Sequence, residues 1–261
     1  PLDTTDTEPL PLAFLPGVDG SLSLMATRIA LFGLPPIQNV NAELTLENGL
    51  LQLQSFNAAL AGGRMEGRGQ VDTSVKPPLL EGSFDISSAT LAHPVFDFPF
   101  DLAAGRIDMA GRLAASGHSA SALIASLQGA GRFLLADGVL AGLALRDAYA
   151  SAGLADAAAA EAALRRALLG GATAVERLEG GWQLTAGRLE LLEMRLAGEA
   201  GVSARMTGFM DLPRQALDIA VALRPPVADA PDIGLRVSGP AATPQRLPDS
   251  APWARWRAGQ R

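Results

Sequence analysis

The sequence predicts a mainly β protein. The expected fold is an extended, curved antiparallel β-sheet forming an open or taco-like groove, built from repeated hairpins, with one or two helices around 143–169 packing at one end. Three observations predict it. The first is the stretch 185–224, where turn residues separate three alternating runs. In the last run Leu217, Ile219, Val221 and Leu223 fall on one side, and Asp218, Ala220, Ala222 and Arg224 on the other. That is the period of a strand with one apolar face. The second is a repeat. Residues 42–72 slide onto this stretch so that Leu46 meets Leu184, Gly49 meets Gly187, Leu53 meets Leu191, Phe56 meets Met194 and Gly63 meets Gly201. After a one-residue slip, Gly69 meets Gly208 and Asp72 meets Asp211. The third is composition: 48% of residues are hydrophobic and only 18% charged. No run of about 18 or more uncharged apolar residues exists, so the excess is spread through strands rather than gathered in a membrane-spanning helix. Either a large core buries it, or an open surface offers it to a ligand or partner.

Taken in order, residues 1–19 are rich in Pro, Asp and Thr and read as an extended or disordered lead. The region 20–117 holds the first β repeats. Its first strand carries Leu22 and Leu24 on one side and is broken by Pro35-Pro36. The 42–72 unit follows, with Asn48-Gly49 as its turn. Asn-Gly between apolar runs signals a hairpin, because a type I′ turn needs positive φ at both central residues. After Pro77-Pro78 comes a strand over 80–91 with Phe84 and Ile86 in phase, then one over 104–115 carrying Ile107, Met109 and Leu113. Between them Phe96, Phe98 and Phe100 flank Pro99, in a loop crossing or a bulged edge.

Residues 118–249 form the second β region. Ser119 or Ser121 caps a short helix reaching Leu127. A partial third copy of the repeat begins at Gly131, with Asp137-Gly138 in the turn position of Asn48-Gly49. Its turn leads into 143–169, rich in Ala, Leu, Glu and Arg, which are helix formers. Leu154, Leu164 and Leu168 form its apolar stripe, Gly153 is a point where it can split, and Gly170-Gly171 end it. Tyr149, the sole tyrosine, reads as a helix packing residue. The repeat over 178–224 follows, then a Pro-rich break and a last strand with Ile233, Leu235 and Val237 in phase. Residues 250–261 are expected to be irregular.

The 261 residues suffice for one or two domains. The net charge of −6 disfavours nucleic-acid binding. Lys76 is the only lysine among the basic residues, which reads as genome base composition. The absence of cysteine removes disulfides, thiolate ligands and thiol nucleophiles. The sequence opens at Pro1 without a signal-peptide pattern, so a processed form or an excised part of a longer protein is expected.

Catalytic signatures are missing. His93 and His118 are the only histidines and lie in no metal-ligand spacing. Residues 117–121 depart from a nucleophile elbow. The glycines Gly62-Gly63 and Gly67 to Gly69 precede a strand rather than a helix, against a phosphate cradle. Asp97 and Asp101 are better read as loop carboxylates than as an acid–base pair. No metal and no cofactor is expected, and the chain is not expected to be an enzyme.

At 127–148 (L-Q-G-A-G-R-F-L-L-A-D-G-V-L-A-G-L-A-L-R-D-A), and again at 178–224, the sequence resembles the AsmA family of AsmA/TamB-like envelope proteins. Residues 208–220, G-F-M-D-L-P-R-Q-A-L-D-I-A, match the closing motif G-x-h-D-L-P-x-x-x-L-D-h. Residues 233–249 resemble the family's last strand and its G-x-x-x-x-P-x-x-x-P-D tail. The likeness is good over 105–249 and looser over 18–91. It implies a periplasm-facing protein of Gram-negative envelopes, anchored in the inner membrane by an N-terminal helix. It also implies carriage of phospholipid along a hydrophobic β-groove in outer-membrane biogenesis.

On this reading Leu44, Leu46, Leu189, Leu191, Leu217, Ile219, Val221 and Leu223 line a lipid groove. Phe96, Phe98, Phe100, Trp253 and Trp256 are candidates for its rim or for membrane contact, since indoles beside Arg255 and Arg257 suit a headgroup interface. The expected partners are phospholipid or another acyl lipid, the inner membrane and envelope proteins, and no nucleic acid. The alternative is a structural or interaction protein of outer-membrane biogenesis whose sheet is filled by its own residues. For the three phenylalanines this means core packing at a sheet crossing; for the tail, an irregular end or a strap over the sheet edge.

Overall fold

The computed structural model describes residues 7–12, 15–30, 35–91 and 101–259. His93, Asp97 and the phenylalanines at 96, 98 and 100 lie outside them. The described residues form thirteen strands: β1 (Gly20–Ile29), β2 (Ile37–Glu47), β3 (Leu50–Leu60), β4 (Gly63–Asp72), β5 (Leu79–Leu91), β6 (Asp101–Ser116), β7 (Gln128–Ala141), β8 (Ala172–Thr185), β9 (Arg188–Gly198), β10 (Ser203–Asp211), β11 (Ala216–Leu223), β12 (Ile233–Pro240) and β13 (Gln245–Asp249). Each pairs antiparallel with its neighbours in chain order, giving one sheet ordered β1 to β13. The sheet does not close: β1 and β13 are its two edges. The mainly β, open, hairpin-built fold expected from the repeats is the one observed.

The repeat holds at the level of turns and bulges. Asn48 (φ 51°) and Gly49 (φ 80°) turn β2 into β3, and Ala186 (φ 50°) and Gly187 (φ 72°) turn β8 into β9. A register shift falls between Leu53 and Phe56 in the β3–β4 pairing, and the aligned shift falls between Leu191 and Met194 in the β9–β10 pairing. Asp137-Gly138 departs from the expectation. Asp137 has positive φ (51°), but β7 runs on to Ala141 and the chain does not reverse. The residues form a bulge against β6 while pairing with β8 continues in register, because both neighbouring strands are long enough to carry β7 past the glycine.

Among the described residues four α-helices decorate the sheet: α1 (Ala120–Ser126), α2 (Leu145–Ala152), α3 (Ala157–Leu169) and α4 (Ala251–Ala258). Ser119 caps α1, its Oγ accepting from the Ala122 amide at 3.3 Å. The helical region over 143–169 is split, with Gly153 ending α2 and Asp156 capping α3 through two backbone amides. Leu164 and Leu168 are buried as the stripe requires, but Leu154 lies in the turn between the helices and is exposed. Tyr149 packs partly buried against the core.

The main core joins α2, α3 and α4 to one face of β7–β12. It includes Leu145, Leu164, Leu168, Leu178, Leu196, Val221, Leu223, Ile233, Leu235 and Trp253. A small second cluster, Ile37, Val40 and Ala58, closes the far end of β2–β3. Residues 251–258 of the tail are helical rather than irregular, and the segment before them is a strand. Gln245–Asp249 adds β13, whose Pro248 is tolerated because this is an edge strand, and α4 straps onto α2 and α3. Part of the lead is also fixed: Pro9 bridges to Ser119, the Leu10 amide donates to the His118 carbonyl, and Leu15 is buried in a turn against β3.

Candidate functional site

Among the described residues, no helix layer of the kind that buries β7–β12 covers the apolar faces of β2–β6. Cross-strand register builds this face row by row. Leu22, Leu44, Leu53, Gly69, Gly82 and Leu113 are successive partners across β1–β6, and Leu46, Leu51, Val71, Leu80 and Ala115 form the next row. The interleaved residues Gln52, Gln54, Arg68, Gln70, Glu81 and Arg112 belong to the opposite face by strand alternation.

The two rows floor a trough of about 500 Å³. Its side-chain walls are Leu44, Leu51, Leu53, Val71, Leu80 and Leu113 from the sheet, with Leu123 and Ile124 from α1 and Leu127 at its C-cap. That volume falls within the usual range for ligand pockets, about 300–1,000 Å³.

Local chemistry fixes α1 as the wall. Gly117 lets the chain turn sharply out of β6: a Cβ there would lie 2.7 Å from the Ala122 Cβ. The Ser126 hydroxyl donates to the Ser116 carbonyl at 2.7 Å and accepts from the Ser116 amide at 2.8 Å, tying the helix end back to β6. The Gly187 amide donates to the Leu127 carbonyl at 2.9 Å, which anchors the helix to the β8–β9 turn.

Beyond the trough the floor becomes aromatic. Trp182 lies against Gly131 and Gly111, where an added Cβ would meet its ring at 2.3 Å in each case. Phe84 stacks on it, with ring centroids 6.3 Å apart and planes 9° from parallel. The Trp182 Nε1 is buried without a partner among the described residues.

The sequence-predicted lining residues separate into three groups. Leu44 lines the trough, and Leu46 shares its face at the adjoining row. Leu189 and Leu191 lie on the same face of β9, partly buried, with Leu191 packed against the main core. Leu217, Ile219, Val221 and Leu223 are corrected: all four are buried in the main core with α2–α4, so they do not form an open wall. Alternation identified their apolar face correctly but carries no information about what covers it.

Trp253 is likewise corrected. It is 1% exposed and packs inside α4, with the Arg257 guanidinium over its ring at 5.1 Å, and so is not available to a membrane. Trp256 is partly buried against the same core. The trough residues missed from sequence were Leu51, Leu53, Val71, Leu80, Leu113 and the α1 trio. The period-2 pattern of 50–53 and 79–84 was a usable signal for the strands. The seven residues of α1 gave none, because no charge contrast marks a face.

Titration shifts lie elsewhere. A hydrogen bond from Arg236 holds the Asp218 carboxyl below its usual range, and one from Arg214 does the same for Asp211. Both pairs bear on the sheet's stability rather than on the trough. Among the described residues no group of three or more His, Cys, Asp or Glu could hold a metal, and no helix is long and apolar enough to cross a membrane.

A scan of known families matches residues 4–193 to the AsmA family. The chain belongs to the AsmA family. The match takes in the whole trough, from β1 through α1 to most of β9, including the region where the motif likeness is looser. Curated proteins and solved structures return no match. Membership of the AsmA family suggests an envelope or lipid-related role.

Proposed function

We propose that this AsmA-family chain is a non-enzymatic lipid-handling module of the periplasm, holding phospholipid acyl chains between the inner and outer membranes. The observation that carries the reading is the trough of about 500 Å³ that the described residues leave open, on a sheet whose other half is filled by its own helices. An acyl chain gains about 0.8 kcal/mol for each methylene it buries, with no catalytic group required. The lining side chains of the sheet and α1 are aliphatic, which suits a hydrocarbon and discriminates little between headgroups. Attachment to the inner membrane belongs to the same proposal, resting on the family alone.

The test is organic extraction of the purified protein followed by mass spectrometry, together with uptake of a fluorescent acyl probe. Co-purifying phospholipid and saturable uptake are expected. Neither lipid nor uptake would leave the second reading, a scaffold that meets envelope partners. That reading draws on the self-filled face of β7–β12.

A further inference from the structure

Elements of different origin border the trough on three sides. At one end of the strands, the lead residues Pro9 and Leu10 join the start of α1 through Ser119 and His118, and Leu15 is buried against β3. At the other end stands the Ile37, Val40 and Ala58 cluster. Across the strands, beyond β6, stand α1 and then the main core under α2–α4. The fourth side is β1. Its Leu22 and Leu24 continue the apolar face yet are 61% and 43% exposed, and no strand pairs with its outer edge among the described residues.

From this we propose that the trough is blind, with its stop at α1 and its mouth at β1. The proposal rests on the acyl-chain reading above. The methyl end of a bound chain lies against Leu123, Ile124 and Leu127, and its polar end lies at the β1 edge. The physical reason is the gradient of water access. Hydrocarbon gains most where water is most excluded, and a charged or zwitterionic headgroup loses least where the wall is absent. The dimension fits: four interstrand steps of about 4.8 Å separate β2 from β6, about 19 Å in all, comparable with an extended long acyl chain. A one-ended trough loads and unloads through the same side, so within this chain lipid is held rather than passed from one end of the sheet to the other.

The chain has no cysteine, so a single introduced thiol is a clean reporter. Ala125→Cys, on the exposed side of α1, and Leu22→Cys, exposed on the trough face of β1, would each be labelled with bimane and titrated with stearate carrying a nitroxide either beside the carboxyl group or beside the terminal methyl. The expected result is crossed quenching. The methyl-end nitroxide causes the larger loss of fluorescence at position 125, and the carboxyl-end nitroxide the larger loss at position 22. Equal or reversed quenching by the two probes overturns the blind-trough orientation while leaving acyl binding intact. No quenching of either reporter by either probe overturns the acyl-chain reading itself, and the orientation with it.

Discussion

Trp182 lies flat on the sheet because its neighbours across β7 and β6 are glycines. Its ring occupies the space where side chains of residues 131 and 111 would stand. Gly131→Ala should therefore cost about 1–3 kcal/mol, as overpacking does, and should shift Trp182 emission, read by thermal melting and fluorescence with Trp253 and Trp256 replaced by Phe. This contact was not legible beforehand. It joins residues 111, 131 and 182 through pairings visible only once strand order is known.

Asp218 yields a second residue-level prediction. Its carboxylate accepts from Arg236 Nε at 2.8 Å and from the same residue's Nη2, and these bonds hold its pKa below the ordinary value. A carboxyl depressed in the folded state contributes stability above its unfolded pKa of about 3.9, lost as pH falls through that value and below. Melting temperature should thus fall with acid more steeply in the wild type than in Asp218→Asn. Parallel pH profiles for the two would contradict the assignment.

The helices are held over the sheet by two arginines acting on backbone carbonyls. Arg246 of β13 donates to Leu168 and Leu169, the last carbonyls of α3, and to Gly142 just after β7. Arg257 of α4 donates to Ala152 and Ala155 at 3.2 and 3.0 Å, doing the same at the end of α2. Burial lowers the Arg246 pKa, and those three carbonyls compensate for part of its lost hydration. Arg246→Ala should destabilise by about 1–3 kcal/mol through unsatisfied carbonyls and should raise amide exchange in α2 and α3 ahead of β2–β6. Uniform exchange across the sheet would show that the clamp is not local.

The helix over 143–169 and its split at Gly153 were readable from helix formers and a single glycine. The tail's alternative reading was a strap, but its helix at 251–258 was missed. Pro252 in its first turn was an available signal, outweighed by the Pro/Arg-rich composition around it. Where α1 stands was not readable, since a seven-residue helix names no partner.

The molecule as a whole is one open sheet with two treatments of the same apolar face. Over β7–β12 the face is a conventional core. Over β2–β6 it is left as a trough. The repeat and the alternation made the sheet and its greasy face legible. They could not distinguish covered from uncovered strands, which is why Leu217 to Leu223 were assigned to the groove and Leu51, Leu53 and Leu113 were not.

Hydrocarbon binding by the uncovered half of the sheet is the proposal from which the others follow. Its most direct test is the equilibrium titration of a fluorescent acyl probe against three proteins: the wild type, Leu113→Arg within the trough, and Met25→Arg on β1, whose side chain is 81% exposed and, by strand alternation, lies on the opposite face. A charge placed against a bound chain should weaken binding by at least about tenfold, a cost of about 1.4 kcal/mol, while the Met25 variant binds as the wild type does. Equal affinity in all three, with Leu113→Arg folded as judged by circular dichroism, would show that hydrocarbon does not lie in the trough.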